Sequence, residues 1–302
     1  MTGATFGAFG TDELTGRILL QCLAGIGGRV LSGVDDGLGV AAVPAGRLQG
    51  WERELHPDYP QTKAYRALFH AALLLAETDA IELVVAGLPV SQFHEANRRE
   101  ALVSHLKGVH QVTPKRSITV HEVKVLPQPA GAYMDLVQSG GDLALIEEGR
   151  VVVIDPGFFS VDWVALEGGE IRYSSSGTSL QAMSVLLETI DKLIAEDHGA
   201  KVGMDRLEKA MRTADLNVLL FGEKVDIAPY LKTAMKKVAP VALTAMRQSM
   251  RDESINADLV LIAGGGAEAY KDAAREIFGR SKIIVPEQSV LANVRGFWFY
   301  GA

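Results

Sequence analysis

Asp155, Gly157, Ser160 and Asp162 crowd into one short stretch, VVVIDPGFFSVDW at residues 151–163, where an apolar run stops at an acid and resumes after a turn. Val151 to Ile154 has the composition of a strand covered on both faces, and Val161 to Leu166 reads as a second strand, so a tight bend joins them. In such a bend the backbone N–H groups of Gly157, Phe158, Phe159 and Ser160 can point into one concavity and hold the oxygens of a phosphate. Asp155 faces the same space and can hold Mg²⁺ through water, because Mg²⁺ accepts one or two carboxylates together with phosphate oxygens. The alternative is an ordinary hairpin with a polar turn.

Two further stretches carry compatible chemistry. LVLIAGGGAEAY, residues 259–270, sets Gly264, Gly265 and Gly266 between a strand ending at Ala263 and a helix starting near Ala267. Without side chains, backbone can approach a flat or anionic ligand there. The spacing is neither the GxGxxG of a dinucleotide fold nor the GxxxxGK[ST] of a P-loop. In LPQPAGAYMD, residues 126–135, Gln128 lies between two prolines that stiffen its backbone just before a short helix. A fixed amide can orient a water for attack on a γ-phosphate without titrating; the alternative is that Gln128 caps a strand end.

The elements that must position these residues alternate between strand and helix, the α/β pattern. In the first half, strands are expected at 18–23 and in IELVVAGLPVS (81–91), with helices over 63–77 and 95–108 and a strand across VTPKRSITVHEVKVLPQ. A glycine turn at Gly25 to Gly28 and an extended segment through Val43 complete it. In the second half the hairpin is followed by helices over 179–196, 204–212 and 227–251, the last with Pro240 predicting a kink or break. SKIIVPEQS supplies a last strand and SVLANVRGFWFYGA a C-terminal helix. Cys22, Trp163, Trp298 and the scattered histidines read as packing, and Arg98, Arg99 and Lys107 as a solvated helix face.

LPQPAGA, VIDPGFFSVDW, LIAGGGAEAY and VLANVRGF, in that order, resemble the actin-like ATPases of plasmid segregation, the ParM/StbA group, and within it the PRTRC-system protein D type. AGLPVSQF (86–93), DYPQTKAYRALFHAAL (58–73) and DRLEKAMRT (205–213) are similar too, so the likeness runs from about residue 14 to the end. It implies an actin-like, ribonuclease H-like duplicated two-domain fold: residues 1–147, residues 148–288, and a C-terminal helix, 289–302, returning to the first domain. ATP (or GTP) and Mg²⁺ would sit between the domains. On this resemblance Asp155, Gly157 and Ser160 match a phosphate-binding hairpin, Gly264 to Gly266 an adenosine loop, Gln128 the residue that orients the hydrolytic water, and Glu208 and Lys209 lie near the ribose or adenine. The implied function is nucleotide-driven filament assembly that moves plasmid copies apart through a DNA-binding adaptor. The alternatives are a non-hydrolysing interaction protein of the same fold and a non-polymerising kinase of the same superfamily, for which no catalytic aspartate stands out.

One departure concerns the start. The group opens with a strand and an Asp-x-Gly hairpin, whereas this chain begins MTGATFGAFGTDELTG. Matching EGGEIRYSSSG (167–177) to LTGRILLQCLAG (14–25), Gly169 on Gly16, puts Met1 to Gly3 at the turn of that hairpin. The expectation is a truncated start, with the strand carrying the first aspartate upstream of Met1.

Composition sets outer bounds. With 302 residues, 48% of them hydrophobic, the chain can bury two cores. Its formal net charge of -7 argues against direct nucleic-acid binding, and the single cysteine against an internal disulfide. No apolar run approaches the roughly 18 residues of a membrane span, and a cytoplasmic protein is expected.

Overall fold

The computed structural model describes residues 5–9, 18–23, 31–32, 39–40, 58–74, 76, 78–140, 143–212, 215–250 and 257–301. The expectations for Met1 to Gly3, the turn at Gly25 to Gly28, Val43, and Gly16 of the internal echo lie outside the described residues.

Two mixed sheets carry the chain. The first is formed by β1 (Thr5–Phe9), β2 (Ile18–Leu23), β5 (Ala80–Leu88), β6 (Gly108–Thr113) and β7 (Arg116–Pro127), in the order β1-β2-β5-β7-β6. β2, β5 and β7 run parallel, while β1 and β6 pair antiparallel at the edges. A two-stranded ladder, β3 (Leu31–Ser32) with β4 (Gly39–Val40), accompanies it. Helices α1 (Lys63–Leu74), α2 (Val90–His94), α3 (Ala96–Leu106), α4 (Gln128–Gln138) and α5 (Leu143–Glu147) belong to the same half. The helix expected over 95–108 is present as α3, Ala96–Leu106, whereas α2, separated from it by extended backbone at Glu95, takes up Val90 and Ser91 from the end of the stretch expected as strand.

The second sheet has the order β10-β9-β8-β13-β14, from β8 (Arg150–Pro156), β9 (Val161–Glu167), β10 (Glu170–Ser179), β13 (Leu259–Ile262) and β14 (Lys282–Ile284). Here β8, β9 and β10 form an antiparallel meander that winds outward from the parallel trio β8, β13 and β14. In the first sheet the corresponding hairpin has, among the described residues, β1 and β2 and runs inward, so that β2 itself pairs with β5. Around the second sheet lie α6 (Met183–His198), α7 (Met204–Arg212), the hairpin of β11 (Asn217–Leu220) and β12 (Glu223–Asp226), α8 (Ala228–Ser249) and α9 (Ala267–Ile277), while α10 (Ala292–Gly301) returns to the first sheet. The β11–β12 hairpin has no counterpart in the sequence reading. α8 remains one helix through Pro240: the ring is exposed, the carbonyl group of exposed Lys236 can be hydrated, and buried Val238, Ala239, Ala242 and Leu243 hold the helix on both sides.

Alternation along β8 explains its unbroken apolar run. Val152 and Ile154 enter a core with Trp163, Ile262, Leu243 and Tyr270, beneath α8 and α9. Val151 and Val153 enter another with Val164, Leu261 and, from other parts of the chain, Val90, Ala132, Tyr133 and Ala292. Both faces of the strand are therefore dry. On the first sheet Val85 packs against Val294 and Phe297 of α10. The α4–α10 pair is thus held between the two sheets.

Candidate nucleotide site at the carboxyl ends of the strands

Apart from Glu208 and Lys209, the candidate residues lie at or just past the carboxyl ends of parallel strands, where open α/β sheets gather their ligands. β8 ends in Asp155-Pro156, β13 runs into Gly264, β7 runs into Gln128, and β5 ends at Gly87-Leu88 before Val90 opens α2. The sequence puts a strand breaker at every one of these exits: Pro89, Pro127, Pro156 and the three glycines.

The acidic turn and the glycine turn touch. Parallel pairing aligns Ile262 with Ile154, and the Ala263 N–H donates to the Ile154 carbonyl at 2.8 Å. One residue on, Gly264 has φ +78°, and a Cβ there would lie 2.0 Å from Asp155 Oδ1. Gly266 donates its N–H to the Pro156 carbonyl at 2.9 Å, and a Cβ on it would meet that oxygen at 2.8 Å. Gly264 and Gly266 are buried, whereas Gly265 is exposed at the crest of the loop. Two of the three glycines therefore admit the acidic hairpin, and the third presents backbone outward.

Within the hairpin, Phe158 and Phe159 form the turn, closed by the Gly157 N–H donating to the Ser160 carbonyl at 2.8 Å. Of the four amides expected to line a concavity, that of Gly157 is thus spent inside the turn. The carbonyls of Gly157 and Phe158 accept from the N–H groups of Met183 and Ser184, so the first turn of α6 anchors the bend. Phe158 is buried in a core shared with Leu207 and Ala210 of α7. Glu208, half-buried, and Lys209, exposed, lie on that helix, which packs against α6 and β11.

Two buried carboxylates face each other across the hairpin, Asp155 opposite Asp162 in the β8–β9 register. Asp162 accepts from Ser160 Oγ, from Thr178 Oγ1 at 2.6 Å and, across to the other half of the chain, from the Val90 N–H at 2.7 Å. Thr178 Oγ1 in turn accepts from the Ser91 N–H at 2.9 Å. The Ser160 hydroxyl, expected at the phosphate, is in this structure engaged with Asp162. Burial raises the Asp162 carboxyl above the usual carboxylate range, opposed by its three donors. Asp155 is pushed up to about 7, first by burial and then by the charge of Asp162, against the pull of its bond to Asn293.

That bond is the contact the sequence reading missed. Asn293 Nδ2 donates to Asp155 Oδ2 at 2.6 Å, and Asn293 Oδ1 accepts the Ala132 N–H at 3.1 Å. Ala132 lies one turn into α4, which begins with Gln128, half-buried against Gly87: a Cβ on Gly87 would meet Gln128 Cγ at 2.8 Å. α4 and α10 touch backbone to backbone, since a Cβ on Gly131 would lie 2.1 Å from the Asn293 carbonyl oxygen and one on Gly296 1.6 Å from that of Gly131. Arg295 locks the crossing with a bidentate pair to buried Asp135, at 2.8 and 2.6 Å. In sequence the only signal was the string LANVRGF itself, an amide and an arginine among apolar residues on one helix.

The structure therefore brings together Asp155, Gly157 to Ser160, Gly264 to Gly266 and the helix headed by Gln128, with α7 beside the hairpin. Among the described residues no group of three or more His, Cys, Asp or Glu side chains could hold a metal ion. A lone carboxylate fits Mg²⁺ that takes its remaining ligands from water and phosphate. A surface cavity of about 490 Å³ lies elsewhere, between α6, β12 and α8, lined by Asp197, His198, Glu223 and Tyr230.

Comparison with known proteins agrees with this fold. The family described as "Actin like proteins N terminal domain" matches residues 32–131, and that described as "Archaeal actin homologue MreB-like, C-terminal" matches residues 153–276. No curated protein sequence matches the chain. Among solved structures, the archaeal actin homolog Ta0583 superposes with a TM-score of 0.72 at 19% identity, over 98% of this chain and 90% of that one. Its complex with ADP superposes at 0.65 with 21% identity, over 80% and 78%. A ParM from Clostridium botulinum, solved as a 15-stranded filament, superposes at 0.65 with 20% identity, over 83% and 75%. No helix among the described residues is long and apolar enough to cross a membrane. With each half matched by an actin-type description, the chain has the actin-like two-domain α/β fold of these homologs.

Proposed function

We propose that this actin-like protein binds ATP, or alternatively GTP, with Mg²⁺ at the strand ends described above, assembles into filaments with it, and segregates plasmid DNA through a separate DNA-binding adaptor in the cytoplasm. The reading divides the chain into residues 1–147, 148–288 and a returning helix at 289–302. The observation that carries it is the contact of the acidic hairpin with the glycine loop, Asp155 against Gly264, beside the helix that Gln128 heads. Self-assembly is supported by the likeness to a ParM solved as a filament, and nucleotide binding by the likeness to an archaeal homolog solved with ADP.

In this reading Asp155 holds the metal through water, the bend from Gly157 to Ser160 receives the phosphates, and Gly264 to Gly266 give a backbone surface for the adenosine. Glu208 and Lys209 border the ribose or base. Gln128 orients the attacking water with an amide that stays neutral at every working pH. When bound, the metal and nucleotide supply the labile phosphoryl bond and neutralise charge developing on it.

A second reading, a non-hydrolysing interaction protein of the same fold, is favoured by two commitments: Asp155 is bonded to Asn293 and Ser160 to Asp162. Light scattering and pelleting with ATP, GTP, ADP and no nucleotide, alongside phosphate release, separate the two. Nucleotide-dependent filaments with phosphate release support the first, and binding without turnover supports the second. Asp155→Ala is expected to abolish Mg²⁺-dependent nucleotide binding, and Gln128→Ala to spare binding and slow hydrolysis about a hundredfold, within the range for a positioned catalytic group. Parent-like turnover in Asp155→Ala would overturn the site assignment.

A further inference from the structure

Asn293 is 1% exposed and uses both ends of its amide, each on a different element. Its Nδ2 donates to a carboxylate at the end of β8, at 2.6 Å, and its Oδ1 accepts from the backbone of α4, at 3.1 Å. No bulkier residue fits nearby, because Gly131 and Gly296 bring the two helix backbones into direct contact on either side of it. The helix carrying it is held in register by the Arg295–Asp135 pair, which joins α10 to α4 a second time. An amide so gripped cannot turn to follow one partner without leaving the other.

We infer that Asn293 is a positioning residue: one buried amide ties the orientation of the Asp155 carboxylate to the placement of α4, so that the acidic hairpin and the helix bearing Gln128 are set by the same side chain. The inference rests on the reading above for what Asp155 and Gln128 do, but the linkage is a property of this chain's own residues. A change at Asp155 is carried into α4 through Asn293, and a change in α4 reaches back to the carboxylate.

The linkage is tested in the full chain without nucleotide, reading hydrogen exchange of the α4 amides in the parent, Asn293→Asp, Asp155→Asn, and the swapped double variant Asp155→Asn/Asn293→Asp. Asn293→Asp is isosteric and keeps an acceptor for the Ala132 N–H, but it sets carboxylate against carboxylate. It is expected to speed α4 exchange about tenfold, the order expected for one lost charge-assisted hydrogen bond. The swapped variant restores a donor at 155 and an acceptor at 293, and is expected to return α4 exchange to within about twofold of the parent, a rescue that a purely space-filling role for Asn293 would not produce. If Asn293→Asp does not fold, recovery of a folded protein in the swapped variant is the same rescue. Parent-like α4 exchange in Asn293→Asp, or failure of Asp155→Asn to rescue it, overturns the inference. Since no nucleotide is present, failure of the filament assays leaves this result standing, and failure of the rescue leaves nucleotide binding to be judged on its own.

Discussion

Replacing Gly264 with alanine loads two penalties onto one atom. At φ +78° an L-residue costs about 1–2 kcal/mol relative to glycine. The new methyl would also lie 2.0 Å from Asp155 Oδ1, so a carboxylate buried on all sides and bonded to Asn293 would have to move. Displacing a buried charged hydrogen bond costs about 1.5–3 kcal/mol. The sum, about 3 kcal/mol or more, corresponds to a fall in Tm of about 6–12 °C for a domain of this size. Gly265, exposed at the crest of the same loop, is the internal control: Gly265→Ala is expected to change stability by less than about 0.5 kcal/mol while weakening ATP binding, if the loop lies on the nucleotide. Urea unfolding of the two variants with the parent gives both numbers, and calorimetry gives the affinity. A Gly264→Ala protein within about 1 kcal/mol of the parent would refute the close packing of the two turns.

Three other expectations follow from the electrostatics. Because Asp155 is held up at about 7 by burial and Asp162, the folded chain keeps between about pH 4 and 7 a proton that the unfolded chain has released, so this group's contribution to stability is present below pH 4 and declines as pH rises; Asp155→Asn is expected to match the parent near pH 4 and exceed it by about 2–4 kcal/mol at pH 8 in urea unfolding. His70, His105 and His110 are held below the ordinary histidine range chiefly by burial, with Arg66 adding to each, so their contribution is present above about pH 6.5 and lost as pH falls toward the folded values; Arg66→Gln is expected to lessen the loss of stability between pH 7 and 5, and an unchanged acid profile would refute the charge effect. Asp162→Ala orphans the buried Val90 N–H and two hydroxyls, and is expected to cost about 3 kcal/mol, measured by thermal unfolding, with a larger radius of gyration in solution scattering as the halves loosen.

How much was legible varies with the range of the interaction. Val151 to Ile154 was readable as a doubly covered strand because both faces of β8 are dry, and Asp155-Pro156-Gly157 as its end because proline and glycine stop a ladder. The helix starting near Ala267 and the strand before Gly264 were readable on the same grounds. The short helix α2 at Val90–His94 was not, since Val90 and Ser91 read as the end of the preceding strand. Neither was the survival of α8 through Pro240, which depends on packing partners far along the chain.

By itself, then, the order of residues determined the local chemistry: which strands end in an acid, where backbone is left bare, and where an amide is stiffened between prolines. These are properties of neighbours in sequence, governed by steric limits on φ and by hydrophobic period. Only the tertiary structure decided what each group faces. Gly264 and Gly266 are glycines because the acidic hairpin lies against them, Ser160 is turned to Asp162, and Asp155 is met by an amide 138 residues away. Such pairings are set by the packing of two sheets about α4 and α10, and a contact at that separation leaves no period or spacing in the chain from which it could have been read.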